Sequence, residues 1–182
     1  MDYQNYINEG INARKNIDIK KIGKIASDIV STFENNGKLI VFGNGGSAAD
    51  SQHFVAELTG HFMKERKPLP AIALTTNTSS LTAIGNDYSY DEIFSRQVQA
   101  LCNKNDYVVG ISTSGNSKNV INAMKEAKKI GAHTLGMSGG NGGMLKGICD
   151  DLFLADSDKT SIIQEVHITA IHMICYIIDE HY

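Results

Sequence analysis

Apolar residues fall along this chain in two alternating patterns. Short unbroken runs occur at Lys38-Leu39-Ile40-Val41-Phe42, Ala71-Ile72-Ala73-Leu74, Tyr107-Val108-Val109-Gly110-Ile111, His133-Thr134-Leu135-Gly136-Met137 and Leu152-Phe153-Leu154. Their length and β-branched content suit strands buried on both faces. Between and around them, apolar residues recur every three or four positions, the spacing of helices that bury one side. Residues 1 to 36 read as a helical lead-in of two helices. The second carries Ile19, Ile22, Ile25, Ala26, Ile29, Val30 and Phe33 and is closed by Asn35-Asn36-Gly37. Further helices are expected from Ser47, as cap, to about 63, over Thr78–Ile84, Tyr90–Leu101, Val120–Ile130 and Met144–Ile148, and from Lys159 to about Glu180. Strands alternating with helices predict an α/β fold: a three-layer αβα sandwich on a five-stranded parallel sheet, Rossmann- or flavodoxin-like. The whole chain, 1–182, reads as one domain, the lead-in followed by the sandwich over 37–182.

In such sheets ligands bind beyond the carboxyl ends of the strands, and two loops there carry chemistry. After the first strand comes Gly43-Asn44-Gly45-Gly46, a turn that tolerates positive φ, leading into a helix whose free N–H groups form an anion site. On that helix His53 and Glu57 stand at i and i+4, placing an imidazole and a carboxylate on one face. After the third strand comes Ser112-Thr113-Ser114-Gly115-Asn116-Ser117. Four hydroxyls within six residues, before a helix that Ser117 could cap, exceed what capping needs and suit a phosphate. A P-loop is excluded, because no Gly-Lys-Ser/Thr follows. The Gly43-x-Gly45-x-x-Ala48 spacing also fits a dinucleotide fingerprint, but the second strand ends in Thr75-Thr76-Asn77, without the acid that a ribose requires.

Composition narrows the class. A net charge of -3 and 20% charged residues argue against a nucleic-acid surface. Cys102, Cys149 and Cys175 lack metal-ligand spacing and suit reduced thiols. The first residues, MDYQNYINEG, carry no leader pattern, so a soluble, cytoplasmic protein is expected, with no membrane partner. The last helix is apolar on most sides yet holds Gln164, Glu165, His167 and His172, each of which needs a partner if buried.

Taken together, GNGGSAADSQHFVAELTG, LTAIGNDYSYDEIFSRQV, GISTSGNSKNV and SIIQEVHITAIHMI resemble the sugar isomerase (SIS) domain family, and within it the sedoheptulose-7-phosphate isomerases. The resemblance implies a homotetramer that converts D-sedoheptulose 7-phosphate to D-glycero-D-manno-heptose 7-phosphate, the start of nucleotide-activated heptose synthesis for lipopolysaccharide or capsule. It implies that Asn44, Gly45, Gly46, Asn86 and Asp87 line the substrate and that Ser112, Thr113, Ser114 and Ser117 hold the phosphate. His53, Glu57, Gln164 and His172 match the family's zinc-binding and catalytic positions, His53, Glu57 and Gln164 also facing substrate. Glu57 is expected to be the base at carbon and His172 its acid/base partner, with one Zn²⁺ per subunit polarising the carbonyl. Gln164 and His172 are about 12 Å apart along one helix and roughly 80° apart around it, which predicts a site formed across a subunit interface. His61 stands where an arginine is expected, and His167 is expected to be structural. The alternatives are a sugar-phosphate sensor and a replication-initiator-binding adaptor; the adaptors lack the carboxylate and the terminal histidine that this chain keeps.

Overall fold

The computed structural model describes residues 2–182. Its elements, in chain order, are α1 (Tyr3–Lys15), α2 (Ile19–Glu34), β1 (Leu39–Gly43), α3 (Gly46–Thr59), β2 (Ala71–Ala73), α4 (Thr78–Asp87), α5 (Ser95–Leu101), β3 (Tyr107–Ile111), α6 (Lys118–Ile130), β4 (His133–Gly139), β5 (Asp151–Ala155) and α7 (Thr160–His181). Single 3-10 turns lie at Tyr90–Glu92 and Gly143–Gly147.

All five strands are parallel, in the order β2-β1-β3-β4-β5. The winding direction reverses between β1 and β3, so the loops leaving their carboxyl ends part and open a crevice. Those loops are the glycine turn and the hydroxyl loop. β1 and β3 are buried at every position, as unbroken apolar runs require. One sheet face packs against α2, α3 and α7 through Ile25, Ile29, Phe54, Leu58, Val166, Ile171 and Ile174. The other packs against α5 and α6 through Phe94, Val98, Val120, Met124 and Ala127. The sandwich and its helical lead-in are therefore as expected.

Several local details differ. Ser47 does not cap α3: Gly45 does, at φ +56, and Ser47 lies buried inside the first turn. A left-handed start suits glycine, so the chain can turn sharply from strand to helix. α4 runs on through Gly85-Asn86-Asp87 rather than ending there, and none of its residues is buried. The expected helix over 90–101 is split, because Phe94 turns inward to stack on Phe42, with ring centroids 5.2 Å apart. Met144 to Ile148 forms only a 3-10 turn.

α7 is long and apolar enough to span a bilayer, with a mean hydropathy of 1.4, yet half of that window is buried against the sheet and its neighbouring helices. It is a core helix, and Glu165 and one ring nitrogen of His167 have partners. Glu165 accepts from Arg14 Nη1 at 2.8 Å and from Tyr6 Oη at 3.0 Å. His167 is fully buried, its Nε2 3.1 Å from the Ser138 carbonyl.

Candidate active site

α3 leaves the glycine turn with Ser47, Ser51, Phe54 and Leu58 facing the core. The stripe carrying Gly46, His53 and Glu57 therefore faces sideways, toward α7. His53 Nε2 lies 2.9 Å from Glu57 Oε1 and 3.1 Å from His172 Nε2. The ligand atoms of His53, Glu57 and His172 all fall within 4.8 Å of one another. Two ring nitrogens facing each other beside a carboxylate oxygen need a proton or a cation between them. The donor set of two imidazoles and a carboxylate suits zinc, so the residues fit the metal. His172 is held below the usual histidine range, first by burial and then by the charge of His53, with Glu57 pulling the other way. Its imidazole is therefore neutral at neutral pH, able to bind a metal or accept a proton.

Gln164 lies eight residues before His172 on α7, on the side of the glycine turn. Its side chain lies against Gly46, where a Cβ would come within 2.5 Å of Nε2, so only glycine leaves room for it. Three of the four expected ligands thus meet within one chain, and no partner subunit is needed to join them.

The crevice between the two loops is bridged. Asn44 Nδ2 donates to Asn119 Oδ1 at 2.9 Å, and Asn119 Nδ2 donates back to Asn44 Oδ1 at 2.9 Å. Tyr90 Oη also donates to Asn44 Oδ1, at 3.0 Å. The Asn44 amide, expected on substrate, is thus engaged in tying the glycine turn to the start of α6. Beside it lies a largely apolar cavity of about 350 Å³, lined by Asn44, Gly45, Thr75, Leu81, Tyr90 and Phe94 among others. Asn86 and Asp87 sit exposed at the end of α4, Asn86 Nδ2 donating to Asp87 Oδ1 at 2.8 Å.

In the hydroxyl loop, Ser112 Oγ and Ser117 Oγ are 2.9 Å apart, and the Asn116 N–H donates to Ser114 Oγ at 3.2 Å. Ser117 is the N-cap of α6 without a side-chain cap bond, so its hydroxyl is spent on Ser112 rather than on the helix. Ser112, Thr113, Ser114 and Ser117 line one turn at the amino end of a 13-residue helix, which suits a dianion.

Sequence reasoning missed Tyr90, Asn119, Phe62, Arg66 and Asp179. Phe62 stacks on His172 at 5.6 Å between centroids and 20° between planes. Asp179, the first acid after the apolar run that follows His172, was the one available signal.

The sequence profile of the SIS domain matches residues 2–139. The chain is 67% identical over 180 residues to a probable phosphoheptose isomerase of Thermoplasma acidophilum, covering 99% of each. It is 55% identical over 161 residues to the phosphoheptose isomerase of Aliarcobacter butzleri, covering 88% of this chain and 84% of that one. Among solved structures, a phosphoheptose isomerase from Neisseria gonorrhoeae superposes with a TM-score of 0.91 at 43% identity, covering 98% of this chain and 97% of that one.

Proposed function

The chain belongs to the SIS domain family and is a phosphoheptose isomerase; from that premise we propose how its own residues interconvert D-sedoheptulose 7-phosphate and D-glycero-D-manno-heptose 7-phosphate. The observation that carries the mechanism is the meeting of Glu57 with two imidazoles at the carboxyl edge of the sheet. Moving a carbonyl from C2 to C1 requires loss of a proton from C1, an enediol, and return of a proton to C2. Glu57 takes the C1 proton and returns it to C2. His172, half-buried and held below the usual histidine range, passes the second proton between O1 and O2. The hydroxyl loop anchors the phosphate far from the reacting carbons, converting an encounter into an oriented complex. Asn44, locked to Asn119, holds the glycine turn so that Gly45 and Gly46 can approach the sugar through backbone, and Asn86 and Asp87 bind its hydroxyls.

His53, Glu57 and His172 would hold Zn²⁺, with Gln164 as fourth ligand once its side chain swings along α7. A coordinated atom is not free to take a proton, so Glu57 and His172 would do so only through atoms that the metal leaves free. A bound zinc would supply Lewis-acid polarisation of the carbonyl. The product feeds nucleotide-activated heptose synthesis for lipopolysaccharide or capsule, in the cytoplasm. The free cysteines at 102, 149 and 175 agree with a reducing compartment. A homotetramer is part of the proposal: α1 leaves Tyr3, Ile7 and Ile11 exposed on a helix that buries only Gly10 and Ala13.

Turnover of sedoheptulose 7-phosphate by wild type, Glu57→Gln and His172→Gln tests the assignment. Each variant should fold and lose about two orders of magnitude or more in kcat. A wild type that binds sugar phosphates without turning them over supports the sensor reading instead.

A further inference from the structure

The catalytic cluster is flanked by an ion pair buried more deeply than the site itself. The side chains of Arg66 and Asp179 are 2% and 1% exposed, with Nε donating to Oδ1 at 2.7 Å. Asp179 Oδ2 accepts the backbone N–H groups of Met63 at 2.6 Å and Lys64 at 3.0 Å. The other guanidinium nitrogens of Arg66 donate to the carbonyls of Glu57 at 2.8 Å, Leu58 at 3.0 Å and Lys67 at 3.2 Å. Asp179 lies seven residues after His172 on α7, two turns along the same face. Arg66 thus grips the backbone of Glu57 itself, while its partner stands on the helix that carries His172. The chain between, fixed by Asp179, lays Phe62 flat over the His172 ring.

We propose that Arg66 and Asp179 are positioning residues for the isomerase site, setting the spacing of Glu57 from His172, and that Phe62 fixes the plane of the His172 imidazole. The proposal rests on the isomerase reading above. Stability alone does not account for the pair, since the desolvation of two buried charges roughly cancels their attraction. The apolar contacts of Phe54, Leu58, Ile171 and Cys175 already hold α3 and α7 in the same core. What directed hydrogen bonds add is register: five donors and one carboxylate fit in one relative placement of the two helices, whereas apolar side chains tolerate several. A carbonyl of Glu57 held by a guanidinium at the end of α3 also satisfies an acceptor that the helix leaves open.

The test separates positioning from folding. Arg66→Met/Asp179→Leu replaces the pair with apolar side chains of similar size, and gel filtration with thermal melting should find it folded. Its kcat should fall about tenfold or more with KM within about twofold, and its zinc dissociation constant, by competition with a chelating dye, should rise about tenfold. Phe62→Leu, on a half-buried loop residue, should move kcat and zinc affinity in the same direction by about threefold or more. A folded double variant with wild-type kcat and zinc affinity overturns the proposal. If the double variant does not fold, wild-type values for Phe62→Leu overturn it. If wild type shows no turnover, the isomerase reading fails, while zinc affinity across the same variants still decides the clamp.

Discussion

Two groups of imidazole and carboxylate stand at opposite ends of the same sheet. At the carboxyl end, His53, Glu57 and His172 converge; at the amino end, Asp28, His133 and Asp151 do so equally closely. Residue types alone would make both of them metal sites. They differ in how their charge is met. Lys24 Nζ lies between the amino-end carboxylates, 2.8 Å from Asp28 and 2.7 Å from Asp151, and His133 Nε2 lies 3.0 Å from Asp151. These bonds hold Asp151 below the usual carboxylate range against the opposing effect of burial. Among the described residues, no lysine or arginine side chain pairs with Glu57, whose only ion-pair partner is His53. One cluster is a closed ion-pair network tying α2 to the sheet; the other keeps its carboxylate available for a substrate or a cation.

The largest expected effect breaks the symmetry outright. Glu57→Gln should abolish turnover by about a hundredfold or more, whereas Asp151→Asn should leave kcat within about twofold in the same assay. Metal stoichiometry sharpens the contrast. Wild type should bind one zinc per chain in a calorimetric titration, and Lys24→Ala, by removing the resident ammonium, should gain a second, weaker equivalent that Lys24→Ala/His133→Ala loses again. A Lys24→Ala protein with a single equivalent would show that charge pairing is not what separates the clusters.

His167 calibrates what burial alone does to an imidazole. It is fully buried, its Nδ1 has no partner, and desolvation pushes its pKa down to about 4 despite the bond to the Ser138 carbonyl. The unfolded chain binds a proton at this residue below about pH 6.5, and the folded protein does not until about pH 4. Stability should therefore fall as pH drops through that window, by about 2 kcal/mol between pH 7 and 5 from this residue. Asp50 works in the opposite direction: burial raises its carboxyl to about 6, so the folded state takes up its proton first and gains stability as pH falls. Urea unfolding of wild type beside His167→Gln isolates the histidine, and the variant should lose less stability over that window. The smallest effect belongs to Lys24→Met, where a half-exposed ion pair should cost about 1 kcal/mol or less by urea unfolding, with turnover unchanged.

The centre of the sheet was legible because β1 and β3 are buried on both faces and had no polar position to confuse a short apolar run with a helix. Helix ends were less legible. Ser47 looked like a cap, but the cap position falls on Gly45, since the turn needs a positive φ more than it needs a hydroxyl. In the site, His53 and Glu57 could be paired from helical spacing alone. His172 could not be joined to them by spacing, and its place came from family resemblance. Asn119, Tyr90, Phe62 and Arg66 escaped notice because each acts through a partner distant in sequence, such as Asn44 for Asn119, 75 positions away. Periodicity reads neighbours along an element, not contacts between elements. Gln164 stands eight residues before His172 on α7, and its side chain packs on Gly46 at the start of α3.

The two halves of the imidazole and carboxylate cluster are written far apart: His53 and His172 touch across 119 residues of sequence. On a translating ribosome, α3 emerges with its imidazole and carboxylate while α7 is still unsynthesised. The face of the sheet that α7 covers then stays open, and a nascent chain can acquire neither the complete core nor the proposed proton-transfer pair until the last helix docks. Activity and completion of the fold thus arrive in one step, and a chain interrupted before α7 has no partial enzyme to offer.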